Sequence, residues 1–303
     1  MDPHTDPSGS PLRLPAPWTT RSGITGLAAS IACLPLGGCI LVGGGEHKFE
    51  ARDRMTLTEP AGARKIILHN QVGNVHLTAE PSATEITATA FLIGRGRHQS
   101  DADQALAEIN VTLDPSRTDP TIIEARADAP NRSRRRSHSV EWRITAPPNI
   151  EIEVHNDVGD IEVAGFVGRT TIESNVGDIT AIGMTQGLTV VNDVGRVDAR
   201  AAGPVSIKTN VGDADLYLIE GPLGEVSITT KVGEIALALP QHWTGALRAD
   251  THTGDVNLSL AGMPLKLTKD RDHRAEGTIG EGGPSVVLSA DVGDIEIRRA
   301  TTN

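Results

Sequence analysis

Cysteine is nearly absent from this 303-residue sequence, which contains only Cys33 and Cys39. Both lie close to the N-terminus, and the long region that follows has none. That region cannot be held together by disulfide bridges, and it offers no thiolate pairs for a structural zinc site. Its stability must therefore come from packing and hydrogen bonding alone.

Aromatic residues make up only 2% of the chain, and the formal net charge is −11. Few rings are left for the stacking faces that usually bind sugars, and the core must be built from Val, Ile, Leu and Ala. The negative charge argues against a nucleic-acid partner. One basic segment, Arg132–Arg136, is an exception. It is either a solvated loop between two strands or a contact site for an anionic lipid or polysaccharide.

Familiar catalytic and cofactor motifs are also missing. The sequence has no H-E-x-x-H, no G-x-S-x-G, no phosphate-cradling glycine loop and no calcium-binding nonapeptide repeat. We therefore predict no cofactor, no metal site and no catalytic residue. Four histidines lie near glycine turns, and they are either exposed corner residues or members of a metal-binding pair: His69, His76, His155 and His252.

The N-terminal region contains a run without charged residues, Ser22–Gly45. Its apolar centre is short for a membrane span and suits the hydrophobic part of a signal peptide. The sequence LGGC that ends at Cys39 resembles the lipobox of bacterial lipoprotein precursors, in which the cysteine is lipidated. We predict a lipoprotein signal peptide over residues 1–38, a short linker over 39–46 and one domain over 47–300. A signal anchor, or a signal peptide cut elsewhere, is the alternative.

A repeated turn dominates the rest of the chain. Val-Gly followed by a polar and then an apolar residue recurs, with Thr-Gly as one variant. From Gly159 onward the turn glycines step by 18, 18, 17, 21, 21 and 39 residues, so that the last step indicates one missing motif. The predicted turn glycines, which we call the corner glycines, are Gly73, Gly159, Gly177, Gly195, Gly212, Gly233, Gly254 and Gly293.

This period predicts an all-β fold, a single β-solenoid of stacked coils of about 18 to 21 residues. Hydrophobic residues alternate on both sides of each turn, as expected for short strands with one buried face. In stacked coils, equivalent residues form ladders spaced by about 4.8 Å. We expect an internal stack of Val158, Val176, Val194, Val211, Val232 and Val292, and a polar ladder of Asn156, Ser174, Asn192, Thr209, Thr230 and Thr251.

An acidic residue follows most corner glycines. The set, which we call the acidic ladder, comprises Asp160, Asp178, Asp213, Glu234, Asp255 and Asp294. Neighbours would lie about 5 Å apart, so their carboxylates repel unless a cation relieves them. The ladder is either a set of solvated turn acids, a weak cation-binding edge, or the paired carboxylates of an enzyme. Arg196 interrupts the row and relieves part of the repulsion.

The first part of the domain is less regular. It contains longer alternating runs, and only Ser100–Ile109 reads as a helix. Ser100 is the expected cap, and Ala105, Leu106 and Ile109 are expected to share the packed face. The fold class therefore includes one short inserted helix.

The order of these segments resembles a known group of bacterial proteins. A Gly-Asn-Val turn, a helical insertion, the stretch WRITAPPNIEIEVHNDVGDIEVAG and serial VGDI coils are similar to the bacterial "putative adhesin" family of unknown function, or toast-rack β-solenoids. The resemblance covers about residues 50 to 299. It implies a cell-envelope β-solenoid without established catalysis, linked in some relatives to adhesion and in others to envelope-stress signalling.

Together these features predict a lipid-anchored, extracytoplasmic binding or scaffold module without catalysis. Its expected partners are the membrane, through the lipid on Cys39, and an envelope polysaccharide or another envelope protein. Two other functions stay open at this point. One is an envelope-stress sensor held by a signal anchor, and the other is a polysaccharide-active β-helix enzyme.

Overall fold

The computed structural model describes residues 32–33, 49–60, 62–129 and 136–300. Cys39, the linker and most of the basic segment lie outside these residues, as does the predicted signal peptide apart from one short strand. The single described helix is α1, Gln99–Ala107. The strands are β1 (Ala32–Cys33), β2 (Phe49–Pro60), β3 (Lys65–Val72), β4 (Val75–Ala79), β5 (Glu85–Gly96), β6 (Asn110–Pro115), β7 (Ile122–Asp128), β8 (Arg136–Ala146), β9 (Glu151–Val158), β10 (Ile161–Ala164), β11 (Thr170–Val176), β12 (Ile179–Met184), β13 (Leu188–Val194), β14 (Val197–Val211), β15 (Ala214–Val232), β16 (Ile235–Leu239), β17 (Gly245–Thr253), β18 (Val256–Ser259), β19 (Leu265–Arg271), β20 (Arg274–Ile279), β21 (Ser285–Val292) and β22 (Ile295–Arg299).

The strands form two ladders that meet at the corner glycines. Face A runs in the order β6, β7, β3, β9, β11, β13, β14, β15, β21, β17, β20, β19. Face B runs in the order β1, β2, β5, β8, β4, β10, β12, β14, β15, β16, β22, β18. The long strands β14 and β15 bend and belong to both faces. Pairing is parallel through the middle of each face and antiparallel toward the ends, except that β18 ends face B in a parallel pair.

The core lies between the two faces and is aliphatic. Along β9 every second residue points inward, and the first residue of each face-B strand after a corner is buried, except Val256 of β18, which is partly buried. One inner column therefore consists of Ile161, Ile179, Val197, Ala214, Ile235 and Ile295, each at most 1% exposed. The alternation read from the sequence thus produces a stack of coils, and the predicted β-solenoid is confirmed.

The order of the last coils differs from the order of the sequence. Strand β21 lies between β15 and β17, and β22 lies between β16 and β18. The coil of Gly293 is therefore inserted between the coils of Gly233 and Gly254. The expectation of a missing motif between Gly254 and Gly293 is wrong, because that segment forms the antiparallel hairpin β19–β20, which pairs with β17.

The valines before the corner glycines are exposed, which corrects the predicted internal stack. Their exposures range from 38% to 49% for Val158, Val176, Val194, Val211, Val232 and Val292. The chain turns from face A to face B at the glycine that follows each valine. The alternation of inward and outward side chains therefore stops before the valine, which does not take an inward place. The buried polar ladder residue two positions before each valine takes the last inward place on its strand.

The inserted helix begins one residue before the expected cap. His98 precedes α1, and its backbone N–H donates to a side-chain oxygen of Asp101 at 3.2 Å. The fully packed side chains of the helix are Ala102 and Ala105. The helix lies against β5, where a Cβ added at Gly94 would meet the Ala102 carbonyl oxygen at 2.4 Å.

The corner glycines stack in direct backbone contact. All eight have φ between 130° and 147°, a region that other residues rarely adopt. At Gly177, a Cβ would lie 2.1 Å from the Gly159 carbonyl oxygen. At Gly187, which also has a positive φ of 121°, the nearest atoms belong to Pro204 at 3.3 Å. Both positions therefore require an unusual backbone, but only Gly177 also excludes a side chain by contact.

We expect Gly177→Ala to destabilise the fold more than Gly187→Ala does. Both substitutions carry backbone strain of about 1 to 3 kcal/mol. Gly177→Ala adds overpacking of about 1 to 3 kcal/mol, because the atom that it meets is backbone and cannot rotate away. Urea unfolding midpoints of the two variants provide the comparison. Equal losses would contradict the idea that close stacking of the corners limits this position.

Candidate functional site

The column of corner glycines, with the side chains on either side of it, forms the most regular surface of the molecule, which we call the glycine edge. Along this column each glycine N–H donates to the carbonyl of the residue before the next corner glycine, at 2.8 to 3.0 Å. The first of these bonds joins Gly73 to Val158, and the last joins Gly293 to Thr253. The parallel hydrogen bonding of face A therefore continues through the turn into face B.

The polar ladder beneath the edge binds the carbonyls of the corners. Asn156 Nδ2 donates to the carbonyl oxygens of Gly73 and Gly159, at 3.2 and 2.9 Å. Asn192 Nδ2 bridges Gly177 and Gly195 in the same way, at 3.1 Å each. These side chains are at most 5% exposed, so each bond satisfies a buried polar group on both sides. Thr230 and Thr251 likewise donate to the corner carbonyls of neighbouring coils, whereas the buried hydroxyls of Ser174 and Thr209 find no hydrogen-bond partner among the described residues.

The acidic ladder hydrogen-bonds to the backbone of the following coil. Asp160 Oδ1 accepts the backbone N–H of Asp178 at 3.0 Å, and Asp178 Oδ1 accepts that of Arg196 at 2.8 Å. Asn74, which occupies the same place in the first coil, accepts the N–H of Asp160 at 3.1 Å. The shared feature of this position is therefore an acceptor oxygen, with a negative charge in most coils.

Arg196 is the exception in this row, because a guanidinium has only donors. It cannot accept an N–H of the next coil, and it pairs instead with Asp215 on face B. This carboxylate raises the pKa of Arg196 above its usual range. Beside this pair lies an open depression of about 580 Å³. Ala236 lines it together with four further carboxylates, those of Asp213, Glu234, Asp294 and Glu296.

Cation binding at the acidic ladder stays a prediction. Within the described ranges, no three His, Cys, Asp or Glu side chains are arranged as a metal site. The carboxylates of Asp160, Asp178, Asp213 and Asp294 each use one oxygen for a backbone N–H. This contact gives them a structural role that requires no cation.

The exposed valines form a continuous stripe on the outside of the glycine edge. We call Val158, Val176, Val194, Val211, Val232 and Val292 the valine stripe; Thr253 takes the same place in the coil of Gly254. The residues just before them form a second row on the face-A side, the outer ladder, which comprises Asp157, Asn175, Asp193, Asn210, Lys231, Asp291 and His252. In this row an asparagine amide donates to the preceding aspartate, from Asn175 to Asp157 at 3.1 Å and from Asn210 to Asp193 at 2.6 Å.

Two of the singled-out histidines meet on face A. The rings of His69 and His155 stack with centroids 4.9 Å apart and planes 8° apart. His155 also contacts the carboxylates of Glu153 and Glu173 at 2.8 and 3.1 Å. Burial is the largest cause that lowers the pKa of His69, followed by the charge of Arg126 and then by that of His155. The sequence held a signal for the stacking of these two rings, because both histidines lie four residues before a corner glycine.

The other two histidines lie apart from this pair. His76 is on face B, where Nδ1 lies 3.2 Å from a carboxylate oxygen of Glu162. His252 belongs to the outer ladder and is exposed. The basic segment is described only at Arg136, which opens β8 and pairs with Glu108 at 2.6 Å. No helix among the described residues is long and apolar enough to cross a membrane.

The sequence matches the family model described as Toastrack DUF4097 over residues 55–298. The chain belongs to this family. The match covers all the coils and the inserted helix, and the resemblance inferred from the repeated turns is confirmed. No curated protein matches the chain.

The chain is also similar to several solved bacterial structures, of which three are given. A "putative cell adhesion protein" from Clostridium sporogenes shares 15% identity and covers 83% of this chain and 100% of its own, with a TM-score of 0.37. A "putative adhesin" from Bacteroides fragilis shares 16% identity over 82% of this chain and 97% of its own, with a TM-score of 0.40. A "putative adhesin" from Parabacteroides distasonis shares 8% identity over 82% of this chain and 97% of its own, with a TM-score of 0.29.

The role of the acidic ladder in the backbone network predicts a difference between two substitutions. We expect Asp178→Ala to lower the free energy of unfolding by about 0.5 to 1.5 kcal/mol, since the N–H of Arg196 loses its acceptor. Asp178→Asn keeps an acceptor oxygen, as Asn74 does naturally, and should change stability little. Urea unfolding of the two variants measures this. Equal losses in the two variants would show that the charge, and not the acceptor, matters, because both substitutions remove the same charge.

The stacked histidines predict acid sensitivity. The folded state holds the pKa of His69 below its usual 6.5, so the unfolded state binds more protons as the pH falls below that value. The contribution of His69 to the free energy of unfolding is therefore fully present above about pH 6.5, and it is lost as the pH falls from there through the lowered pKa of the folded state. We expect His69→Gln to lose less stability than the wild type between about pH 7 and pH 5.5. Thermal unfolding across that range measures the effect. His242→Gln, at an exposed loop residue, is the control, and an equal effect of both changes would contradict the prediction.

Proposed function

We propose that this Toastrack protein is a lipid-anchored, extracytoplasmic binding or scaffold module of the bacterial cell envelope that performs no catalysis. The observation that carries the proposal is the glycine edge. Its coils present the same kinds of side chain again and again at about 4.8 Å. A surface of this kind suits contact at many points along an elongated partner, such as an envelope polysaccharide or another envelope protein.

The chemistry of the carboxylates supports binding over hydrolysis. A glycosidase needs one carboxyl group to donate a proton and a second to act as a base or nucleophile. In the acidic ladder the carboxylates are equivalent and exposed, and several already accept a backbone N–H. An arrangement that gives neighbouring acids the same environment does not separate them into an acid and a base.

The proposed anchor rests on the sequence LGGC at the end of the apolar run. Lipidation at Cys39 would make this residue the N-terminus of the mature chain, and the linker over 39–46 would place the solenoid next to the membrane. Two or more acyl chains hold a protein stably on a bilayer, whereas one chain binds only marginally. In this arrangement β1 would leave with the signal peptide, and β2 would become the edge strand of face B.

We expect Cys39→Ser to abolish lipidation and to leave the protein out of the membrane fraction. Intact mass of the mature N-terminus, together with partitioning into detergent, measures both effects in cells that express the full chain. Cys33→Ser is the matched control, because that residue lies before the predicted cleavage point and should change neither result. If Cys39→Ser is still cut at the same bond and partitions like the wild type, the lipoprotein proposal fails.

A further inference from the structure

We propose that the glycine edge is the docking surface for an amphipathic helix whose aliphatic stripe is flanked by lysine or arginine. The inference deepens the proposed function. It rests on one part of that proposal, namely that the domain is a binding module. The starting observation is the valine stripe. Its six side chains are 38% to 49% exposed and follow one another along a single edge. Continuous apolar surface of this kind marks interaction sites more often than isolated exposed residues do.

The fold itself does not require valine at these positions. The side chains point away from the core, and in the coil of Gly254 the same place is taken by Thr253, which pairs in register with Val292. Threonine has the same branched shape and similar strand preference, but it carries a hydroxyl. The apolar character of the other six positions is therefore an added property of the surface.

The two rows that flank the stripe decide the charge of the partner. On the face-B side lies the acidic ladder, with six carboxylates and one guanidinium, Arg196. On the face-A side lies the outer ladder, with three carboxylates and one lysine, Lys231. An apolar ridge between two negative rows complements an apolar stripe between two positive rows. The open depression at Ala236 adjoins the acidic ladder and extends its negative surface onto face B.

The same charges argue against the other occupants. Two copies of this chain that met along the valine stripe would bring four negative rows together, and like charges at an interface oppose association. An anionic membrane surface or a nucleic acid would meet the same repulsion. A basic polypeptide is the partner that gains from both the valines and the carboxylates.

The length of the stripe fits a helix. From Val158 to Val292 the six coils span about 24 Å at the usual strand spacing. A helix covers that distance with about 16 residues, and its side chains at positions i, i+3, i+4 and i+7 lie on one face. Basic residues next to that face would reach the acidic ladder on one side and the outer ladder on the other.

The probe is a labelled peptide of about 16 residues, with leucine on one helical face, lysine on both sides of it and alanine elsewhere. We expect the purified full chain to bind it in fluorescence anisotropy, with weaker binding as the salt concentration rises. Two control peptides each keep one property of the probe, either its apolar face or its positive charge. One has glutamate in place of lysine, and the other has serine in place of leucine. If either control binds as tightly as the probe, the proposal is wrong.

Variants of the protein test the two components of the surface. Val176→Thr, Val194→Thr and Val211→Thr together should weaken binding by about tenfold, which corresponds to about 1.4 kcal/mol. Val191→Thr with Val287→Thr, at two valines of similar exposure on face A, should not. Equal effects of the two sets would overturn the assignment to the glycine edge.

Charge is tested without removing the backbone contacts. Asp160→Asn, Asp178→Asn and Asp213→Asn keep the acceptor oxygens, and together they should weaken binding by about tenfold and flatten its salt dependence. The control is Glu85→Gln with Glu151→Gln and Glu281→Gln, at exposed carboxylates elsewhere. Unchanged binding in the Asn variant would overturn the proposal, as would control variants that match it.

Two further outcomes would assign the stripe to another occupant and so overturn the proposal. The first is a dimer of the full chain in sedimentation that the three Val→Thr changes dissociate. The second is binding to phospholipid vesicles that these changes abolish in a protein with Cys39→Ser. Failure of the Cys39 experiment would remove the proposed anchor and leave these binding results unaffected, so the two proposals fail separately.

Discussion

Direct backbone contact between stacked glycines is the constraint on which this structure depends. With no Cβ at the corner, each carbonyl can approach the next corner closely, and the N–H of each glycine reaches the carbonyl of the residue before the next one. Coil spacing at the corner then equals strand spacing on the faces. The aliphatic columns, the buried amides and the outer rows all keep one register because this contact repeats.

The remaining features of the edge follow from that contact. The corner carbonyls point into the molecule, so buried amides and hydroxyls such as those of Asn156 and Thr251 bind them. The N–H after most corners points outward, and at five of them an aspartate or asparagine of the neighbouring coil accepts it. The valine between these two rows has no core position to fill. The edge therefore shows aliphatic and acidic side chains in parallel lines.

Much of this arrangement could be predicted from the sequence, since it depends on local period and position. The fold, the coil length and the buried polar ladder follow from residue spacing around each Val-Gly. The exposure of the valines was missed because alternation was extended one residue past the place where the chain turns. The sequence also held a signal for the acceptor role of the acidic ladder. Asn74 occupies the same position as these acids and has an acceptor oxygen but no charge. The order in which the coils stack left no such signal in the sequence. Every corner carries the same motif, and the spacing between motifs cannot show which two coils are neighbours.

The insertion of the last coil between two earlier ones has a consequence for how the chain folds. Strands β21 and β22 pair with β15 and β16 on one side and with β17 and β18 on the other, although they follow all four strands in the sequence. Until β21 and β22 are in place, the coil of Gly254 can pair only with the hairpin β19–β20 through β17, and it has no contact with the coil of Gly233. Such non-local pairing slows folding and leaves strand edges open in the meantime. The segment that forms β21 and β22 closes the stack, so the two halves of each face that it joins stay apart until it has been synthesised and paired.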